Sequence, residues 1–215
     1  MSKPETVVLV HGIWMTGLDM SLLHQRLKLC GFKPVQFSYP TIRSNLKENA
    51  AKLQRFVRQL EKNGGASTIH FVAHSLGGLL LRQFFYDYPD QRPGRVVTLG
   101  TPHAGSCVAK RMGCNPFGKM LLGKSYLHGL RGDVPLWQSK QGHTQREIAV
   151  FAGRVSIGVG RVIENLPKPN DGTVAVIETH LEKMSMHRIF PTTHMGLLFS
   201  DEVAQAVCSF LRDGA

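Results

Sequence analysis

A chain of 215 residues, 42% of them apolar, has the material for one sizeable core rather than two, and is too apolar to be a disordered chain. Its formal net charge of +11 favours anionic surfaces, yet no aromatic–basic interleaving or zinc-finger spacing accompanies it, which argues against a nucleic-acid partner. No stretch has the length of a membrane span, and the opening MSKPETVVLV lacks a signal-peptide core and cleavage site, so a cytoplasmic protein is expected.

The elements alternate in type along the chain. Val7-Val8-Leu9-Val10 is a continuous β-branched run, as in a strand buried on both faces. Residues 17–29 read as a helix, opened by Thr16 and Asp19 and stopped by Gly31. Val35 to Tyr39 is a weaker strand. Residues 45–62 are the clearest helix, with Leu46, Ala50, Leu53, Val57 and Leu60 on one face and basic residues mostly off it. Thr68 to Ala73 is again a buried-strand run, followed by a helix to about Tyr86. Arg95–Leu99, Ile148–Phe151 and Met186–Phe190 complete six strands. The last helix starts at Ser200, with Asp201 and Glu202 in its first turn, where the dipole favours acids. Strands alternating with helices predict a single α/β domain. Its mostly parallel sheet has helices on both faces and function at the carboxyl ends of the strands.

Residues 102–145 break the alternation. They are glycine-rich, contain the apolar cluster Phe117, Met120, Leu121 and Leu122, and carry no clean strand or long helix. From there to Glu147, seven Lys or Arg face a single acid, Asp133. A long irregular insert in a compact domain is expected to be a lid or cap. The four cysteines, Cys30, Cys107, Cys114 and Cys208, show no CxxC spacing and read as reduced thiols.

The chemistry gathers around FVAHSLGG, residues 71–78. Ser75 follows a strand and precedes an apolar helix, the context of a nucleophile elbow. Gly77 fills the second small position of the motif, and Ala73 stands where the first glycine is usual. A serine needs a base, an acid that orients the base, and amides aimed at the developing oxyanion. The loop His11-Gly12-Ile13-Trp14 after the first strand offers the Ile13 amide, and the residue after the serine offers that of Leu76. Among ten histidines, His194 lies in a loop after the last strand, where a base is needed, whereas His180, His187 and His74 are less well placed. Asp171, in Asn170-Asp171-Gly172, falls between nucleophile and base in chain order, with Glu164 and Glu178 as competitors.

VHGIW (10–14), AHSLGG (73–78), TLGTPHAGS (98–106), NDGTV (170–174) and TTHMGL (192–197) together resemble the α/β-hydrolase fold. More narrowly, the chain resembles minimal bacterial lipases and the lipase-like esterases related to the inositol deacylase of membrane anchors. Minimal bacterial lipases also carry Ala-His-Ser. The resemblance implies Ser75 as nucleophile, Asp171 as acid, His194 as base, and an oxyanion hole from the amides of Ile13 and Leu76. It implies hydrolysis of small-molecule or lipid carboxylic esters through an acyl-enzyme, with no metal or organic cofactor. Trp14, Phe117 and Leu121 are the candidate substrate contacts. The basic, apolar insert supports an alternative: cleavage of phospholipids or thioesters, or acyl transfer, in peripheral contact with an anionic membrane. A non-catalytic hydrolase-like binding protein is the rival from another class.

Overall fold

The structure, a computed structural model, describes residues 4–64, 67–125, 129–130, 134–135, 146–158 and 166–214. Six strands run in chain order: β1 Thr6–Val10, β2 Lys33–Phe37, β3 Ile69–His74, β4 Val96–Leu99, β5 Ile148–Gly153 and β6 Met186–Phe190. All pair in parallel, in the order β2-β1-β3-β4-β5-β6. The order reverses at β1, which lies between β2 and β3. Loops leaving neighbouring strands diverge at such a point and open a crevice at the carboxyl edge.

The helices are α1 Ser21–Leu29, α2 Leu46–Gly64, α3 Leu76–Asp87, α4 Cys107–Met112, α5 Pro116–Leu122, α6 Gly196–Phe199 and α7 Asp201–Asp213. A 3₁₀ turn over Gly17–Met20 precedes α1, and the Thr16 amide bonds the Asp19 carboxylate, so the expected start pair is present. Ser200 caps α7 by accepting from the Val203 amide.

Alternate strand residues serve opposite faces, as the period of two demands. Val8, Val10, Phe71, Ala73 and Val150 join the core beneath α2 and α3. Val7, Leu9, Val72, Val97 and Phe151 join the core beneath α1, α6 and α7. Both faces of the sheet are covered, which explains the uninterrupted apolar runs of β1 and β3. The weaker strand lies two residues earlier than expected, at Lys33–Phe37 rather than Val35–Tyr39. It is an edge strand with a mixed pattern, and Tyr39 instead stacks on His11 with ring centroids 4.4 Å apart.

The reduced-thiol reading of all four cysteines is corrected by the structure. Cys30, just after α1, and Cys208, in α7, form a disulfide. The sheet order brings these two helices together on one face although the cysteines are 178 residues apart. The cysteines therefore no longer argue for a reducing compartment. Among the described residues no helix is long and apolar enough to cross a membrane.

The described part of 102–145 holds α4 and α5, each opened by a side-chain cap. Ser106 accepts from the Ala109 amide and Asn115 from the Gly118 amide. Arg82 of α3 is buried and donates to the carbonyls of His103, Val134 and Pro135, tying the start of the segment and residues 134–135 to the core.

Candidate active site

The β3–α3 turn carries Ser75 at φ 52° and ψ −121°, a backbone region that side chains rarely adopt. The strain is held from both sides. The Ser75 amide donates to the Leu99 carbonyl of β4 at 2.8 Å, and its carbonyl accepts from the Thr101 hydroxyl at 2.9 Å. The small residues of the motif have steric reasons. A Cβ on Gly77 would sit 2.4 Å from the Val10 carbonyl oxygen, and one on Gly78 would sit 2.2 Å from Thr101 Oγ1. Ala73 lies inside β3, paired with Val10, and its methyl is buried in the core, so the first small position accepts alanine.

The loop after β1 is built around a neutral His11. Its Nε2 accepts from the Tyr39 amide and its Nδ1–H donates to the Gly12 carbonyl, while burial pulls its pKa below the usual value. Gly12 passes close to the elbow, and a Cβ there would meet Ser75 Cβ at 3.1 Å. Trp14 follows Ile13 at φ 58°, fixed by its amide on Thr41 Oγ1 and its indole N–H on the Leu121 carbonyl at 2.8 Å. Leu76 is the first residue of α3, so its N–H has no acceptor within that helix.

Asp171 and His194 come from the loops beyond β5 and β6. The Asp171 side chain is 1% exposed. Its Oδ1 accepts from the amides of Thr173 at 2.9 Å and Val174 at 2.7 Å, and its Oδ2 faces His194 Nδ1 at 2.7 Å. The His194 amide also donates to the Asp171 carbonyl at 2.9 Å. Two strand-end glycines make room for this pair. A Cβ on Gly100 would lie 2.9 Å from His194 Nδ1, and one on Gly153 would lie 2.8 Å from Asp171 Cβ. The sequence reading singles out neither glycine, although each stands at the carboxyl end of a strand.

Of the competing acids, Glu178 is buried but spent elsewhere: it accepts from the amides of Cys107 and Ala175 and anchors the start of α4. Glu164 lies outside the described residues. Of the rival bases, His187 Nε2 faces the Thr179 hydroxyl at 3.0 Å.

Ser75 and His194 line a cavity of about 240 Å³, together with Ile13, Trp14 and Met15. Its far wall comes from the segment after β4: Val108, Ala109, Met112, Leu122 and Leu130. Of the three expected substrate contacts, Trp14 lines the cavity. Phe117 and Leu121 are not part of the lining: Phe117 is 66% exposed and Leu121 turns outward. Both lie on the solvent-exposed side of α5. Gly118 and Leu122, four apart, face inward, while Phe117 and Leu121 share the outer face. Asn115-Pro116, a cap with proline at the first helical position, is the sequence signal that marks where α5 begins.

The family described as “Putative serine esterase (DUF676)” matches residues 1–124. The chain belongs to this family. No curated protein matches it. Among solved structures it is similar to mature lipase BlEst2 of Bacillus licheniformis, at 18% identity and a TM-score of 0.78, covering 98% of this chain and 91% of that one. It is also similar to the monoacylglycerol lipase of Paleococcus ferrophilus, at 16% identity and a TM-score of 0.65, covering 100% and 97%. Phospholipase PlaB of Legionella pneumophila is similar at 14% identity and a TM-score of 0.72, covering 98% of this chain and 59% of PlaB. These likenesses establish the α/β-hydrolase fold, and with the family they make the chain a serine hydrolase of the esterase and lipase type.

Proposed function

We propose that Ser75, His194 and Asp171 are the catalytic triad of this serine esterase, and that it cleaves carboxylic esters bearing an apolar chain. The carrying observation is the 2.7 Å contact from His194 Nδ1 to the buried Asp171, in a loop that shares one cavity with the strained Ser75. Asp171 holds the proton on Nδ1, which leaves Nε2 free as a base. Ser75 Oγ attacks the carbonyl carbon and its proton passes to Nε2. His194 then returns that proton to the leaving alkoxide, and water repeats the sequence on the acyl-enzyme. The amides of Ile13 and Leu76 take the oxyanion. The apolar wall of Val108, Ala109, Met112 and Leu122 receives the acyl chain. The names of the similar structures, a lipase, a monoacylglycerol lipase and a phospholipase, support a lipid ester substrate. Turnover of p-nitrophenyl esters from acetate to palmitate tests the reading. Wild type is expected to turn over and Ser75→Ala is not; a fully active Ser75→Ala would overturn it. Fluorophosphonate labelling of wild type separates an enzyme from a binding module, and product analysis separates hydrolysis from acyl transfer and oxygen esters from thioesters.

A second reading, action at an anionic lipid surface, rests on α5. Phe117 and Met120 are about two-thirds exposed on its outer face. Lys110 and Arg111 of α4, Lys119 of α5 and Lys124 just beyond it are exposed and without a carboxylate partner among the described residues. Apolar side chains flanked by cations suit an interface with anionic headgroups. Sedimentation with phosphatidylglycerol and phosphatidylcholine vesicles is expected to favour the former, and Lys119→Glu with Lys124→Glu to reduce it. Equal, negligible sedimentation with both lipids removes the idea.

A further inference from the structure

His74, the last residue of β3, is not accounted for by the hydrolytic mechanism. It is 1% exposed, directly precedes Ser75, and lines the same cavity. Its Nε2 lies 3.1 Å from the backbone carbonyl of His194. A carbonyl only accepts, so Nε2 carries the proton and Nδ1 keeps a lone pair. That Nδ1 is buried without a hydrogen-bond partner. It points at the loop after β1, where a Cβ on Gly12 would lie 3.0 Å from it. The His74 and His194 rings are 4.7 Å apart and tilted by 49°.

These contacts join three loops that are distant in sequence. The His194 main chain is held at both ends: its N–H by the Asp171 carbonyl and its C=O by His74. The second of these runs to the residue adjoining the nucleophile. Resting on the triad reading, we propose that His74 is a positioning residue of the hydrolytic site. Bonded through Nε2–H to the His194 carbonyl and packed through Nδ1 on Gly12, it fixes the base and the oxyanion loop relative to Ser75. A neutral ring suits this role. Burial, and secondarily the neighbouring His194, push the His74 pKa well below the ordinary value, so His74 adds no second positive charge when His194 takes the serine proton.

The amide nitrogen of glutamine reaches about as far as histidine Nε2, and that of asparagine stops near Nδ1. His74→Gln therefore retains a donor to the His194 carbonyl and His74→Asn does not. On a soluble short-chain ester, His74→Asn is expected to lower kcat by about 100-fold, the cost of a misplacement near 1 Å, with little change in KM. His74→Gln is expected to recover most of that loss even where both variants melt at the same lower temperature. Nitrogen-15 NMR of the imidazoles gives a readout without turnover. One ring, absent from the spectrum of His74→Gln, should remain neutral with its proton on Nε2 as the pH falls past the ordinary histidine pKa of about 6.5. Wild-type kcat in folded His74→Asn, or a His74 ring that titrates normally or carries its proton on Nδ1, overturns the proposal. If Ser75→Ala is as active as wild type, the triad reading falls, and the NMR result still decides the placement of His74.

Discussion

Asp171→Asn isolates the link between the proposed acid and the proposed base, and the structure determines how the amide would sit. The carboxylate accepts three hydrogen bonds: two peptide N–H groups on Oδ1 and the imidazole on Oδ2. Asparagine has one oxygen and one NH2. With the oxygen on the two peptide amides, both remain satisfied and the NH2 faces His194. With the oxygen on His194, the NH2 faces two peptide donors, and the buried Val174 N–H is left unpaired at about 1–3 kcal/mol. The first arrangement therefore wins by at least about 1–3 kcal/mol on the same scale. In it an NH2 donor faces Nδ1, so the imidazole must place its proton on Nε2. Nε2 is then a donor and cannot take the proton of Ser75.

The expected outcome is a fall in kcat of about ten-thousand-fold, the cost of the wrong tautomer in a serine triad. Folding stability should change by no more than about 1–2 kcal/mol, because the peptide hydrogen bonds persist. Ester turnover gives the first quantity and urea unfolding the second. Glu178→Gln is the comparison: it deprives the Cys107 or the Ala175 amide of its acceptor, so it should lower stability and leave kcat within a few-fold. A folded Asp171→Asn enzyme with kcat within about tenfold of wild type, against the loss expected for a wrong tautomer, refutes the reasoning.

Three other outcomes are expected. Ala109→Phe narrows the cavity and Leu122→Ala widens it, so the preferred ester in a chain-length series should shift to shorter chains in the first and longer in the second; no shift in either would remove that wall from substrate contact. The Cys30–Cys208 bridge closes 178 residues and should contribute about 3–5 kcal/mol, visible as a lower urea midpoint in reductant; four reactive thiols in denatured, unreduced protein would exclude it. His11, His70, His74 and His103 are held neutral by burial, with pKa values below the ordinary one. Unfolding lets them bind protons, so stability should be full above about pH 6.5 and fall as the pH drops below it, by up to about 1.4 kcal/mol per pH unit for each histidine. A flat unfolding free energy from pH 7 to 5 would contradict this.

The parts legible in the sequence are those whose cause is local. β1 and β3 are buried on both faces, and their apolar runs report that directly. The elbow is legible because its glycines sit beside the serine they serve, and His194 because it lies soon after a strand. The hidden parts depend on neighbours remote in sequence. The edge strand β2 has one covered flank and a mixed pattern. The Cys30–Cys208 pair exists only because the sheet order places α1 beside α7. The role proposed for His74 is hidden for the same reason. Adjacent side chains in a turn diverge, which argues against it as the base for Ser75. Its ring instead meets the carbonyl of His194, 120 residues away.

On the proposed triad, the placement of these groups separates the reaction from its selectivity. The loops after β1 and β3 supply Ile13 and Ser75, and those after β5 and β6 supply Asp171 and His194. β4 lies between these pairs and contributes no reacting group. Its last residue reaches Ser75 through the Leu99 carbonyl, and Gly100 clears space for His194. The chain beyond β4 forms α4 and α5, which make the far wall of the cavity. β1, β3, β4 and β5 are buried on both faces, where changes in volume are poorly tolerated. The wall rests on two short capped helices held by Arg82, Glu178 and Trp14. If the wall receives the acyl chain as proposed, substitutions in it alter which chain fits while leaving the sheet, and the groups it positions, in place.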